Sequence, residues 1–177
     1  MSTYLEFEKP IEVLDNKIFE LKSLNDSAPS ESLLEEITNV EQEINDTYKK
    51  IYSSISPWQR TLVARHTDRP KTRHYIEGLI ENFFPLSGDR AFSEDKAIIG
   101  GFGKFRGKTV LVIGHEKGHD TTSRIEHNFG MPRPEGYRKA QRLMKLAEDF
   151  DIPVISFVDT PGAYQGVGAE QRGQAEA

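Results

Sequence analysis

Lys96-Ala97-Ile98-Ile99-Gly100-Gly101-Phe102-Gly103-Lys104-Phe105-Arg106-Gly107-Lys108-Thr109-Val110-Leu111-Val112-Ile113-Gly114 is where the periodicity of the chain changes from helical to extended. Ala97 to Phe105 and Thr109 to Gly114 are strand-like, and Arg106-Gly107 between them is short enough to turn a hairpin. Downstream, Pro134 opens a helix on which Tyr137, Ala140, Leu143, Ala147 and Phe150 share one face, and Pro153 prevents it from running much past Asp151. Val154-Ile155-Ser156-Phe157-Val158 follows, an apolar run that suits a parallel strand covered on both faces. A loop and a helix starting near Ala169 complete the order strand, strand, helix, strand, loop, helix, which predicts an α/β fold. Ala169 to Ala177 holds no stop signal, so the last helix is expected to continue to the end of the chain.

Upstream the pattern is helical. Ile11, Leu14, Ile18, Leu21 and Leu24 recur at spacings of three and four, Asn25 to Ser30 is turn-rich, and Leu33, Ile37, Val40, Ile44 and Ile51 resume the period. Ser32 with Glu35 reads as a capping box marking the second start, and the whole predicts an antiparallel helical hairpin. Such a hairpin either docks a partner subunit or packs on its own domain. Ser56, Pro57 and Gln59 supply a cap, a favoured first position and a box residue for a short helix carrying Trp58 and Leu62. A further helix is predicted over Thr72 to Phe83.

The 177 residues carry 23 Lys and Arg against 28 Asp and Glu, a formal charge of -5, and no cysteine. Disulfides, thiolate zinc sites and a cysteine nucleophile are thereby excluded. No apolar run approaches the ~18 residues of a membrane-spanning helix, and the charged first 20 residues do not read as a signal peptide, so a cytoplasmic location is expected. The charge is uneven: residues 1–54 hold 12 acids and 5 bases, whereas Arg60, Arg65, Arg69, Lys71 and Arg73 make the stretch up to His74 the most basic in the chain. That stretch could hold the phosphates of a nucleotide-like ligand or be a solvated face. The net negative charge argues against nucleic acid.

Three motifs mislead. His115, Glu116 and His119 spell H-E-x-x-H, but the motif continues directly from a strand and contains Gly118, whereas the zinc chemistry needs helical spacing. Gly107-Lys108-Thr109 imitates the end of a phosphate loop, yet the position five places earlier is Phe102 and a strand follows instead of a helix. Gly101, Gly103 and Gly107 miss the dinucleotide spacing by one residue.

A fourth stretch, Asp159-Thr160-Pro161-Gly162-Ala163-Tyr164-Gln165-Gly166-Val167-Gly168, leaves the carboxyl end of the predicted parallel strand, the usual position for a ligand loop in layered α/β folds. Its glycines allow backbone N–H groups to approach a ligand closely.

Together with Phe129-Gly130-Met131-Pro132-Arg133-Pro134-Glu135-Gly136-Tyr137-Arg138-Lys139-Ala140, with Phe84-Pro85-Leu86-Ser87-Gly88-Asp89-Arg90 and with Gly100-Gly101, this loop resembles the alpha-subunit family of bacterial acetyl-coenzyme A carboxylase carboxyltransferases. The resemblance runs over nearly the whole chain. It implies a crotonase-like (ClpP/crotonase) fold of strand-strand-helix units over residues 55–177, incomplete at its carboxyl end, behind an acidic helical hairpin over residues 1–54. It implies a carboxyl transfer from carboxybiotin, borne on a biotin carboxyl carrier protein, to acetyl-CoA, giving malonyl-CoA. A zinc-bearing beta subunit, two copies of each subunit, and biotin carboxylase are the implied partners, with no metal in this chain.

Gly162, Ala163 and Tyr164 are the implied walls of a biotin pocket, with Pro161 and Gly166 fixing the loop. Arg65, Arg69, Lys71 and Arg73 could face coenzyme A phosphates, the carrier or water. No catalytic residue is assigned within the chain, since the family's oxyanion glycines are expected beyond Ala177. The chain is therefore expected to be an amino-terminal fragment, inactive and poorly folded alone. Other crotonase-like acyl-CoA enzymes and a helical-hairpin interaction module are the competing readings.

Overall fold

The computed structural model describes residues 4–177, which form two compact units divided between Arg69 and Pro70. In the first unit α1 (Lys9–Ser27) and α2 (Glu31–Tyr52) form the hairpin. Leu21, Ile37 and Val40 are its buried seam, flanked by Leu14, Ile18, Leu33 and Ile44, which is the three-and-four spacing read from the sequence. Lys17–Glu36 at 3.0 Å and Lys22–Glu41 at 2.8 Å cross between the helices in exposed positions. Such pairs add only tenths of a kcal/mol, so the apolar seam holds the hairpin. The second helix starts two residues before the expected box: its N-cap is Ser30, whose backbone N–H is taken by Asn25 Oδ1 at 3.2 Å. The Ser32 hydroxyl meets the Ser30 hydroxyl at 2.7 Å, so Ser32 caps nothing. The short helix α3 (Pro57–Ala64) begins as expected, with Ser56 and Gln59 exchanging cap hydrogen bonds.

The second unit is built on a four-stranded sheet in the order β1 (Glu81–Pro85), β2 (Ile98–Phe105), β3 (Lys108–His115), β4 (Val154–Phe157). β1, β2 and β3 are antiparallel neighbours, and β4 joins β3 in parallel. The β2–β3 turn has Arg106 at φ 50° and Gly107 at φ 76°, the left-handed pair that a two-residue hairpin requires. Along β3 the side chains alternate. Leu111 and Ile113 pack with Leu143 and Ala147 of α6 (Pro134–Asp149), which follows the short α5 (Thr121–Glu126), while Val110 and Val112 pack with Ile76 of α4 (Thr72–Leu79) and with Ile80 at its C-cap. A strand covered on both faces reads as an unbroken apolar run, as this one does. The order β2, β3, α6, β4 is the strand, strand, helix, strand order read from the sequence.

Four expectations need correction. The helix from Thr72 ends at Leu79, and Glu81–Pro85 is strand β1, entered through Asn82 at φ 52°. A Cβ on Gly101 would clash with the Phe84 carbonyl, and one on Gly103 with Ile80. Those two glycines exist to let β1 and α4 lie close on β2, not to cradle a nucleotide. β4 is the edge of the sheet, so Val154 and Val158 are exposed and only Ile155 and Phe157 pack, on the α4 side. Phe150 caps α6 and is exposed, whereas Glu135 and Lys139 are buried on that helix. Finally, α7 (Val167–Gln171) stops after five residues. Gly173 at φ 77° donates to Glu170 O and Gln174 to Ala169 O, the paired bonds of a Schellman stop.

Candidate functional site: the loop beyond the parallel pair

β3 and β4 end side by side, Gly114 opposite Phe157, so the segments after them leave the same edge of the sheet. β3 closes on His115, and Glu116 to Asp120 follow it. Far from forming a zinc helix, Glu116 is buried with its carboxylate accepting the N–H groups of Arg73 at 3.1 Å, Lys117 at 3.0 Å and Gly118 at 2.9 Å. This fixes the turn that aims Lys117 at Asp159, with which it forms an ion pair. His115 Nδ1 accepts the Asp159 N–H at 3.4 Å, a role open only to an unprotonated nitrogen. Burial lowers the His115 pKa, in keeping with that role.

After β4 comes the loop Asp159 to Gly166. The Thr160 hydroxyl lies 2.6 Å from Gly130 O and 2.9 Å from Gly162 O, and accepts the Gly162 N–H at 3.1 Å. Tyr164 N–H donates to Pro132 O at 3.0 Å, and the Arg133 guanidinium stands 5.0 Å from the centre of the Tyr164 ring. A Cβ on Gly166 would sit 2.8 Å from that ring, so the loop closes over its own tyrosine only because residue 166 is glycine. Gly162, at φ 150°, has nothing within 4 Å of where a Cβ would be. Pro161 and Ala163 are exposed. The amides of Ala163, Gln165 and Gly166 have no acceptor among the described residues. The loop thus presents unused N–H donors beside open space, an arrangement that can receive a ligand's acceptor oxygens.

The far flank of the loop is held by charges that the sequence reading missed. Glu135, 2% exposed, takes Arg172 through two hydrogen bonds of 3.1 Å, and Arg172 also lies 4.6 Å from the centre of the Phe92 ring. Arg138 bridges Asp89, at 2.8 Å, and the Arg172 carbonyl, at 3.0 Å. Asp95 joins the segment before β2 to the start of α6, accepting Ala97 N–H at 3.0 Å and Arg133 N–H at 2.8 Å. Glycine at 136 leaves room for that carboxylate. The one signal available in sequence was the cluster of charges within Arg133 to Arg142, which a helical wheel reads as solvated.

Burial alone would push the Asp89 carboxyl up, but the amides of Phe92, Ala91 and Ser93 and the Arg138 guanidinium outweigh it and hold the group at about 2, below its ordinary 3.8. A depressed carboxyl stabilises the folded unit fully above its unfolded value and loses that contribution as pH falls toward the folded one. Asp89→Asn is therefore expected to lower stability at pH 7, and to show a smaller further loss than the parent between pH 4 and pH 2. Denaturant titrations at those pH values check this. A variant with the parent's acid profile would show that Asp89 is not the group being titrated.

The basic stretch is spread over both units. Arg65 and Arg69 belong to the first, Lys71 and Arg73 to the second, where Lys71 is the N-cap residue of α4. Arg73 also lines a cavity of about 500 Å³ between α4, β1 and β2, with Ile76, Ile80, Phe83 and Ile98 among its walls. None of Pro161 to Gly166 lines that cavity.

A family model described as acetyl co-enzyme A carboxylase carboxyltransferase-like matches residues 4–177. The acetyl-coenzyme A carboxylase carboxyl transferase subunit alpha of Mesorhizobium japonicum is 56% identical over 177 residues, all of this chain and 56% of its own length. The subunit of the same name from Paramagnetospirillum magneticum is 56% identical over 173 residues, 98% of this chain and 54% of its own. The chain thus spans about half the length of the curated relatives it matches. Among solved structures, a single-chain, multi-domain long-chain acyl-CoA carboxylase aligns with a TM-score of 0.48 and 25% identity over 63% of this chain and 11% of its own.

Proposed function

The chain belongs to the acetyl co-enzyme A carboxylase carboxyltransferase-like family, and from that membership we propose that it supplies the biotin side of a carboxyltransferase that makes malonyl-CoA from acetyl-CoA. The observation that carries the proposal is the 56% identity extending over the whole chain to subunits of that name. The unused amides of the loop after β4 support it from the chemical side.

Carboxybiotin, arriving on a separate carrier protein, supplies the carboxyl group: its N–C bond to that group breaks, the acetyl methyl carbon gains it, and the methyl proton ends on the biotin nitrogen. Gly162, Ala163 and Tyr164 are assigned as walls of the biotin pocket, and Pro161 and Gly166 as the residues that shape the loop. The N–H groups of Ala163, Gln165 and Gly166 stand ready, without reorganisation, for oxygen atoms on which charge develops, the arrangement from which most electrostatic catalysis derives. No proton-transferring side chain is assigned. Arg65, Arg69, Lys71 and Arg73 are offered as contacts for coenzyme A phosphates or the carrier. A zinc-bearing beta subunit in a complex of two alpha and two beta chains, the carrier and biotin carboxylase are the proposed partners. Residues 1–54 are proposed as the hairpin appendage and 55–177 as the carboxyltransferase portion. Among the described residues no helix is long and apolar enough to cross a membrane, and a cytoplasmic site of action is proposed.

The test is malonyl-CoA-dependent carboxylation of a neutral biotin amide by the full-length alpha subunit paired with its beta partner, followed by the release of acetyl-CoA. Turnover that requires both subunits is expected. A folded pair that binds but yields no acetyl-CoA would overturn the carboxyltransferase reading in favour of an interaction module, and turnover of other acyl-CoA substrates alone would favour a different crotonase-like enzyme.

A further inference from the structure

We propose that Arg133 binds the carboxylate carried by carboxybiotin, an inference that rests on the biotin reading of the loop after β4. Four cations contact this loop or its flanks: Lys117, Arg133, Arg138 and Arg172. Three of them are neutralised, Lys117 by Asp159, Arg138 by Asp89 and Arg172 by Glu135. Arg133 differs. Its exposed side chain has no carboxylate within 4 Å among the described residues, acts on Asp95 only at longer range, and lies over the face of Tyr164, 5.0 Å from the ring centre.

Its backbone is nevertheless held at both its N–H and its carbonyl. The N–H donates to Asp95 Oδ2 at 2.8 Å, the carbonyl accepts Gly136 N–H at 2.9 Å, and the residue is the N-cap of α6, with Pro134 following at the first helical position. A guanidinium on a fixed backbone, stacked on a ring and in direct contact with no carboxylate, keeps its planar fork of N–H donors available. That fork matches a carboxylate in two-point contact. The ring on which it rests is also the assigned wall of the biotin pocket, so the charge stands where a carboxylated biotin differs from an uncarboxylated one. Backbone N–H groups can serve either form, whereas Arg133 adds a full positive charge where only the carboxylated form brings a negative one.

The experiment compares full-length alpha subunit carrying Arg133→Met or Arg133→Lys, paired with the beta subunit, in both directions of transfer. In the forward direction Arg133→Met is expected to raise KM for the carboxylated carrier about ten- to hundredfold, with KM for acetyl-CoA unchanged. Arg133→Lys restores the charge without the fork and is expected to recover part of that loss. In the reverse direction KM for a neutral biotin amide is expected to stay within twofold, because that substrate carries no carboxylate on entry.

Equal damage to both biotin substrates would overturn the proposal, since loss of the Tyr164 contact alone would harm both alike. Unchanged forward KM would overturn it as well. Gly162→Trp serves as the reference: if it abolishes transfer while Arg133→Met does not alter the forward KM, only the role of Arg133 fails, and if neither variant affects transfer the biotin reading of the loop fails with it.

Discussion

Lys139→Met is expected to destabilise the Pro70–Ala177 unit by about 2–4 kcal/mol, the cost of leaving two buried carbonyls without their donor. Lys139 is 1% exposed, and its ammonium donates to Glu94, to Asp95 O at 2.8 Å and to Ile98 O at 2.5 Å. All three N–H groups are used, so the charge is tolerable in the interior only because it is fully satisfied. Methionine matches the length of the side chain but donates nothing. The two carbonyls lose that donor in a place water does not reach, and Glu94 loses its counter-charge while keeping the Gly88 N–H. The single tryptophan, Trp58, lies in the first unit and is a poor reporter of this event. Amide exchange of β2 and β3 is the appropriate measurement. A loss below about 1 kcal/mol, the scale of an ordinary substitution, would show that the pair is not holding α6 against the start of β2.

Lys139 also illustrates where reading the sequence stops. Leu143 and Ala147 were legible as core because apolar residues at helical spacing can be satisfied in few ways other than burial. A lysine one turn earlier on the same helix reads as solvent-facing, since burial of its charge depends on three acceptors brought from residues 94–98 by the tertiary fold. Phe150 fails in the opposite sense: it fits the apolar stripe, yet the helix ends at Asp149 and Phe150, its C-cap, is exposed. β1 was hidden for a third reason. Glu81 to Pro85 has weak strand character of its own and is a strand because Gly101 and Gly103 let it approach β2, a cause located some 20 residues away. The β2–β3 hairpin and the start of α3 were legible because their causes are local: a left-handed pair at Arg106-Gly107 and a reciprocal cap between Ser56 and Gln59. The candidate loop was visible as a glycine-rich exit from a strand, but the charged clasp formed by Glu135, Arg138 and Arg172 was not, because a hydrogen bond and an ion pair spanning 34 and 37 residues leave no period in a sequence.

Gly162→Trp in the full-length alpha subunit is expected to lower kcat/KM for carboxyl transfer at least a hundredfold while leaving its pairing with the beta subunit intact. Two effects combine. At φ 150° an L residue is strained, by about 1–3 kcal/mol for such a position, and that strain shifts the amides next to it. The indole then projects into a space where no protein atom lies within 4 Å of the Cβ, which is the space the proposal gives to biotin. Loss of a single well-placed N–H donor is worth about 3–4 kcal/mol in comparable acyl-transfer sites, so displacement of Ala163 N–H alone would suffice for the expected loss. Gly162→Ala isolates the strain, because its methyl group meets nothing, and about tenfold is expected for it. Ala163→Trp isolates the bulk, because residue 163 does not lie among the positive-φ positions. If the bulk variant is as damaging as Gly162→Trp, occlusion of the open space is the cause; if the strain variant is, the amide positions are. Transfer within threefold of the parent in all three would remove this loop from the biotin site altogether, since neither the space nor the donors beside it could then be in use.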